Sequence, residues 1–281
     1  MTSTAIFRAV AIARRRFALS LILTLVLPVA SLAQTQPRTP TEAELADITA
    51  RGSALAAYDF ASWHGTDAVM ALKPANGSIV RYIARATPKG WVVAFGRLTA
   101  ARDTFLVAYE AVRNVQTGKF EGFTGVAHAK PVVDTDYYLR AARAVDTATG
   151  DFGAVRRPYN TAAIPTPYGN WYVYLFPAPT VAGVWPLGAD TRYLISADGR
   201  TILEKRRLHN SVIEFGAQLK AAPAGSQLEA GSHTAVLADI PEDTDVFHVL
   251  IRTPKVPEYV MTDHFVYRID TDGKINFLGT H

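Results

Sequence analysis

Histidines and carboxylates concentrate near the C-terminus. Within 232–278 lie His233, His248 and His264, three of the chain's seven histidines, together with Asp239, Asp243, Asp245 and Asp263. Imidazole nitrogens and carboxylate oxygens are the ligands of zinc and other divalent ions, and a His–Asp couple can also serve as a base and its orienter. The same stretch has the chain's densest alternation of apolar and polar residues, which predicts strands. If 240–244 is a turn between strands 233–239 and 245–252, Val236 stands opposite His248. His233 is then offset from His248 by ~10 Å at ~3.3 Å per residue. The offset is odd, so the two histidines take opposite faces and cannot share an ion. With 253–258 as the next turn, His248 falls opposite Asp263. His264 points to the other face, unless a one-residue slip exchanges it with Asp263. His248, Asp263 and His264 are therefore the candidates here for catalysis or for a metal. Two ligands do not make a metal site, so no metal and no other cofactor is expected.

A second group lies at 58–67, where His64 and Asp67 are three residues apart and can meet on one turn of a helix. They are a further catalytic candidate pair. The common role of such a couple is to finish a helix, and Tyr58, Phe60 and Trp63 around it read as core. Two other features read as surface: Glu110, in step with Leu106 and Ala108, and the run Lys205-Arg206-Arg207 at the end of a strand.

What the chain lacks narrows the chemistry. There is no G-x-S-x-G, H-E-x-x-H, Walker A or G-x-G-x-x-G pattern. There is no cysteine, so thiolate catalysis, thiolate metal sites and disulfide scaffolds are excluded.

These side chains have to be carried by folded elements. The N-terminus has the anatomy of a secretory leader: Arg8, Arg14, Arg15 and Arg16, an apolar run at 17–29, then Ser31-Leu32-Ala33 before Gln34. The expected product is a soluble periplasmic or secreted protein with no membrane span. The chain has 29 basic and 25 acidic residues, and the four leader arginines account for the whole difference. The mature chain is therefore neutral on paper, which gives no support to nucleic-acid binding.

Residues 34–41 read as a polar tether. Thr41 with Glu44 has the form of a capping box, and a stripe through Leu45, Ile48, Gly52 and Leu55 predicts a helix ending near His64, with Gly65 as its terminator. A short second helical piece is expected at 66–72. Strands follow at 78–87, 91–98 and 105–112, with turns at 88–90 and 116–118, and then a helix at 134–147. The stretch 149–170, rich in Gly, Pro and Asn, is the best boundary between units 42–150 and 151–281, or else a long loop within one domain. The second half reads as mainly β. Tyr193-Leu-Ile-Ser-Ala-Asp-Gly-Arg and Tyr267-Arg-Ile-Asp-Thr-Asp-Gly-Lys both signal hairpins.

The run A-A-Y-D-x-A-x-W-H-x-T-D-A at 56–68 is followed by Gly90-Trp91-Val92-Val93. Together with D-T-D-V-F-H-V-L at 243–250 and H-F-V-Y-R-I-D-T-D-G-K-I at 264–275, it resembles a family of exported bacterial proteins of unknown function. The resemblance implies an exported α+β protein and attaches no catalytic or binding role to any residue.

The expected fold is α+β, an N-terminal helix packed on antiparallel sheet with a predominantly β C-terminal half. The expected function is non-enzymatic binding of a small ligand or an envelope protein, in an apolar concavity lined by Trp171, Tyr172, Tyr174 and Trp185. The alternative is a metal-assisted or His/Asp-based hydrolase built on the C-terminal strands.

Overall fold

The structure is a computed structural model that describes residues 37–116, 119–217 and 226–280. The expected leader at 1–33, the first residues of the tether and the centre of the 116–118 turn lie outside the described residues. From Pro37 onward the chain forms one compact unit.

The fold is α+β. Helix α1 spans Glu42–Met70 and starts as expected: the Glu44 backbone N–H donates to Thr41 Oγ1, and the Thr41 N–H donates to the Glu44 carboxylate. It does not stop at His64. Gly65 is an interior helical residue, and a Cβ there would sit 2.9 Å from Val93 Cγ2. Glycine is needed for close approach to a sheet, which explains why it resembled a terminator in the sequence.

That sheet is the antiparallel meander β1 (Arg81–Thr87), β2 (Gly90–Leu98), β3 (Phe105–Gln116) and β4 (Lys119–Asp134). Thr87 pairs with Gly90 across the expected hairpin. Helix α2 spans Tyr137–Phe152, starting and ending later than the sequence suggested, and Asp134 accepts the Leu139 N–H at its start. A second antiparallel sheet has the order β5 (Tyr159–Pro165), β6 (Trp171–Pro177), β8 (Thr191–Ile195), β9 (Ile202–Arg207). Strand β7 (Trp185–Gly188) pairs only with β10 (Val212–Phe215).

The third four-stranded sheet carries His233 and Glu258. Its order is β11 (Gly231–Thr234), β12 (Glu258–Met261), β13 (Phe265–Ile269), β14 (Ile275–Thr280). Strands β11 and β12 run parallel, and helix α3 (Asp243–Ile251) connects them. This corrects the expected meander: residues 245–252 are largely helix, and no hairpin places His248 opposite Asp263. The physical reason is burial. Every residue from Asp243 to Val249 is buried, so the segment has no polar face and its 3.6-residue period is hidden. Its Val, Phe and Ile content then resembles a strand.

Three buried clusters hold these layers. Ala142 and Val145 of α2 pack on Ile83, Phe105, Val173 and Tyr193 from two sheets. Leu55 and Tyr58 of α1 pack on Val93, Phe95 and Tyr174. Leu45 and Ile48 of α1 join Val246 and Val249 of α3 over Val260, Tyr267 and Ile269. Each large apolar side chain buried this way contributes about 1.5–3 kcal/mol. Helix α1 thus spans two clusters and sets the position of α3. At their crossing Gly52 leaves no room for a side chain, since a Cβ would lie 2.5 Å from both the Asp243 carbonyl oxygen and Val246 Cβ.

Candidate metal centre

Helix α3 begins in an acidic turn, Glu242-Asp243-Thr244-Asp245, where the positive end of the helix dipole favours carboxylates. The Glu242 backbone N–H donates to Asp245 Oδ2 at 2.7 Å. This bond fixes the carboxylate and leaves Oδ1 pointing away from the helix end.

Two imidazoles meet Asp245 Oδ1. His233, on β11, brings Nε2 to 3.1 Å, and His209, in the loop after β9, brings Nε2 to 3.0 Å. Their other nitrogens are bonded to carboxylates. His209 Nδ1 lies 2.8 Å from Asp190 Oδ1, and His233 Nδ1 lies 2.8 Å from Glu258 Oε1. Nδ1 faces a carboxylate in both, so once either imidazole loses its second proton the remaining one stays on Nδ1 and Nε2 becomes the ligand atom. Asp190 precedes β8, and Glu258 opens β12. Arg252, fully buried at the end of α3, donates to Glu258 Oε2 and to the Val256 carbonyl. Arg207 donates to the carbonyls of His209 and Asn210, which holds the loop that carries the first imidazole.

The contacts at 3.0 and 3.1 Å are short enough for hydrogen bonds, but their angles are not suitable. His209 Nε2, His233 Nε2 and Asp245 Oδ1 are all buried, and none makes a hydrogen bond. They lie within 4.8 Å of one another. Two ligand atoms about 2.1 Å from one ion and about 90–110° apart are separated by about 3.0–3.4 Å. The two separations from Asp245 Oδ1 are of the size that two ligands of a shared ion would have. Metal-ligating histidines typically donate their second nitrogen to a carboxylate or carbonyl, the arrangement that Asp190 and Glu258 supply.

The electrostatics follow from burial and charge. Burial alone would lower both imidazoles. Asp245 outweighs it, aided by Asp190 for His209 and by Glu258 for His233, and the values rise to about 11 and about 9. Burial alone would raise the Asp245 carboxyl, but the two imidazoles hold it well below the usual carboxylate range. His248 sits apart. Burial, with Arg252 beside it, pushes it down to about 4, and its Nε2 lies 3.3 Å from the Trp185 carbonyl oxygen.

Of the residues singled out in the sequence, only His233 lies in this centre among the histidines of 233–264. His264 is exposed and pairs with Asp239 at 2.9 Å. Asp263 is exposed on the turn before β13. His64 packs between Phe60 and Trp63, with centroids at 4.3 and 4.8 Å, and Asp67 is exposed on the same helix. Glu110 pairs with His128 at 3.0 Å. The 205–207 run is fully engaged, with Lys205 on Asp151, Arg206 on Glu242 and Arg207 on backbone carbonyls. The four aromatics do not line one groove. Trp171 lies in the α2 cluster, Tyr174 in the α1 cluster with its hydroxyl on Asp243, and Tyr172 under the Arg192 guanidinium. Trp185 is half-buried on β7 and meets His248 through its backbone.

His209, Asp190, Glu258 and Arg252 escaped sequence reading because they are scattered along the chain with no motif spacing. The acidic turn after Pro241 was the one available signal, since acids after a proline mark a helix start and would have moved Asp245 off a strand. Among the described residues no helix is long and apolar enough to cross a membrane. Comparison with family models, curated proteins and solved structures gave no match to this chain.

Proposed function

We propose that this is an exported metal-binding protein whose working site is a divalent transition metal held by His209 Nε2, His233 Nε2 and Asp245 Oδ1. One observation carries the reading: three buried ligand atoms converge without hydrogen bonds, while the second nitrogen of each imidazole is fixed by a carboxylate. Two imidazoles and one carboxylate suit zinc, iron, cobalt, nickel or manganese better than calcium or copper(I). The arginine-rich, apolar N-terminal leader supports export.

The test is metal analysis of protein purified without chelators or an affinity tag, and reloaded with zinc or cobalt. About one ion per chain is expected, with loss of that ion in His209→Ala, His233→Ala and Asp245→Asn while circular dichroism is retained. Failure to bind zinc or cobalt at micromolar concentrations would overturn the reading.

Metal-assisted hydrolysis is the second reading. It is favoured by the count of three protein ligands, the number used where a further position takes water. It would be supported by metal-dependent turnover of simple esters that Asp245→Asn abolishes.

A further inference from the structure

Beside the two imidazoles lies a small pocket of about 110 Å³. His209 and His233 both form part of its wall, whereas Asp245, whose side chain has no exposed surface, does not. The remaining wall comes from four separate segments: the end of β7, the loop after β9, the start of β10 and the residues after β11. Its apolar part is Leu187, Leu208, Ile213, Val236 and Leu237, and its polar part is Asn210, Ser211 and Thr234. Among the described residues no Lys, Arg, Asp or Glu lines it.

Three protein ligands leave a metal with open coordination positions, in contrast to the closed four-ligand shell of a structural site. Here two of the three ligands border a cavity and the third approaches from behind. Resting on the metal reading above, we infer that the open position faces this pocket and takes a small oxygen-donor ligand with a short aliphatic body of two to four carbons. The class follows from the lining. No Lys, Arg, Asp or Glu among the described lining residues can pair with a phosphate, sulfate or ammonium group, so the ligand's polar end meets the metal and the Asn210, Ser211 and Thr234 side. The aliphatic wall suits a short apolar stem. The size follows from the volume: at about 30 Å³ per water-sized unit, the pocket holds three to four such units, which is far less than a nucleotide, a sugar or an aromatic acid needs.

Acetohydroxamate, an oxygen chelator with a two-carbon acyl body, is a direct probe. The full-length mature protein is loaded with cobalt(II) and its visible absorption is followed during titration. Saturable band shifts are expected with acetohydroxamate, and benzohydroxamate, with a ring too large for the pocket, is expected to bind at least tenfold more weakly. Val236 is an exposed rim residue. Val236→Trp is therefore expected to weaken acetohydroxamate at least tenfold while cobalt affinity stays unchanged. If cobalt binds but acetohydroxamate leaves its spectrum unchanged, or if benzohydroxamate binds equally well, the pocket assignment is overturned and the metal centre stands. If cobalt does not bind at all, both are overturned together.

Discussion

Asp243 and Asp245 are two residues apart on α3, and both are withdrawn from solvent, yet they are satisfied in opposite ways. Asp243 is saturated. Arg51 Nε lies 2.9 Å from Oδ1, while the Tyr174 hydroxyl at 2.8 Å and an Arg192 guanidinium N–H both donate to Oδ2. Those partners come from α1, β6 and β8, so the carboxylate ties α3 to the long helix and to the β5–β6–β8–β9 sheet. Asp245 is satisfied at one oxygen only, by the Glu242 N–H. Its other oxygen faces two imidazole nitrogens that do not aim hydrogen atoms at it. A buried carboxylate with both oxygens engaged by two arginines and a tyrosine hydroxyl is a structural tie. A buried carboxylate with one oxygen left toward two imidazole nitrogens is where the proposed ion would sit.

The contrast is most easily broken by deleting one carboxylate at a time. Asp243→Ala leaves Arg192 and Arg51 without their partner in a largely buried setting. It should cost about 3–5 kcal/mol, read as a lower midpoint in urea unfolding of the metal-free protein. Asp245→Asn should lose the metal-dependent increase in that midpoint, which Asp243→Ala keeps. If the increase survives in Asp245→Asn, Asp245 is a structural tie as well.

The fixing carboxylates come next. Glu258→Gln keeps a hydrogen-bonding side chain but no longer holds the His233 tautomer by charge. Zinc affinity should fall about 10–100-fold by competition with a chromogenic chelator. An equal fall in Asp190→Asn would show that both imidazoles are held the same way.

Crowding the α1–α3 crossing tests the two carboxylates together. Gly52→Ala forces its Cβ against Asp243 and Val246 and should destabilise by about 1–3 kcal/mol. Because Asp245 rides on the same helix, metal affinity should fall with it.

Acidity separates the two sites again. In the metal-free protein His209 and His233 hold their protons up to about 11 and about 9. Near neutrality an ion must therefore displace two protons, and its apparent affinity should fall about a hundredfold per pH unit on acidification. Above about pH 9 the slope should halve. The arginines around Asp243 stay charged throughout, so the stability lost in Asp243→Ala should show no matching dependence on pH between about 6 and 9.

The smallest effect is at the exposed pair His264–Asp239. His264→Ala should change stability by no more than a few tenths of a kcal/mol and leave metal affinity unchanged.

The sequence carried much of the fold. Thr41 and Glu44 announced the start of α1, strict alternation marked β1 to β3, and the two Asp-Gly turns marked the β8–β9 and β13–β14 hairpins. Helix α3 was lost because burial on all sides removed its period. With it went the register that had placed His248 beside Asp263. The site was legible only in fragments: His233 and Asp245 stood out as residue types, while His209, Asp190 and Glu258 had no local signal.

By itself the sequence determined the secondary-structure types in strongly amphipathic segments, the cysteine-free chemistry and the pool of imidazole and carboxylate ligands. Those properties depend on neighbours along the chain. Only the tertiary structure decided which ligands meet. His209, His233 and Asp245 reach one point because a loop after β9, a short parallel strand and a helix start converge there. That convergence depends on α1 crossing α3 at Gly52 and on Asp243 holding the helix against α1 and one sheet. Contacts between residues 24 and 36 positions apart follow from packing, which spacing in the chain does not encode.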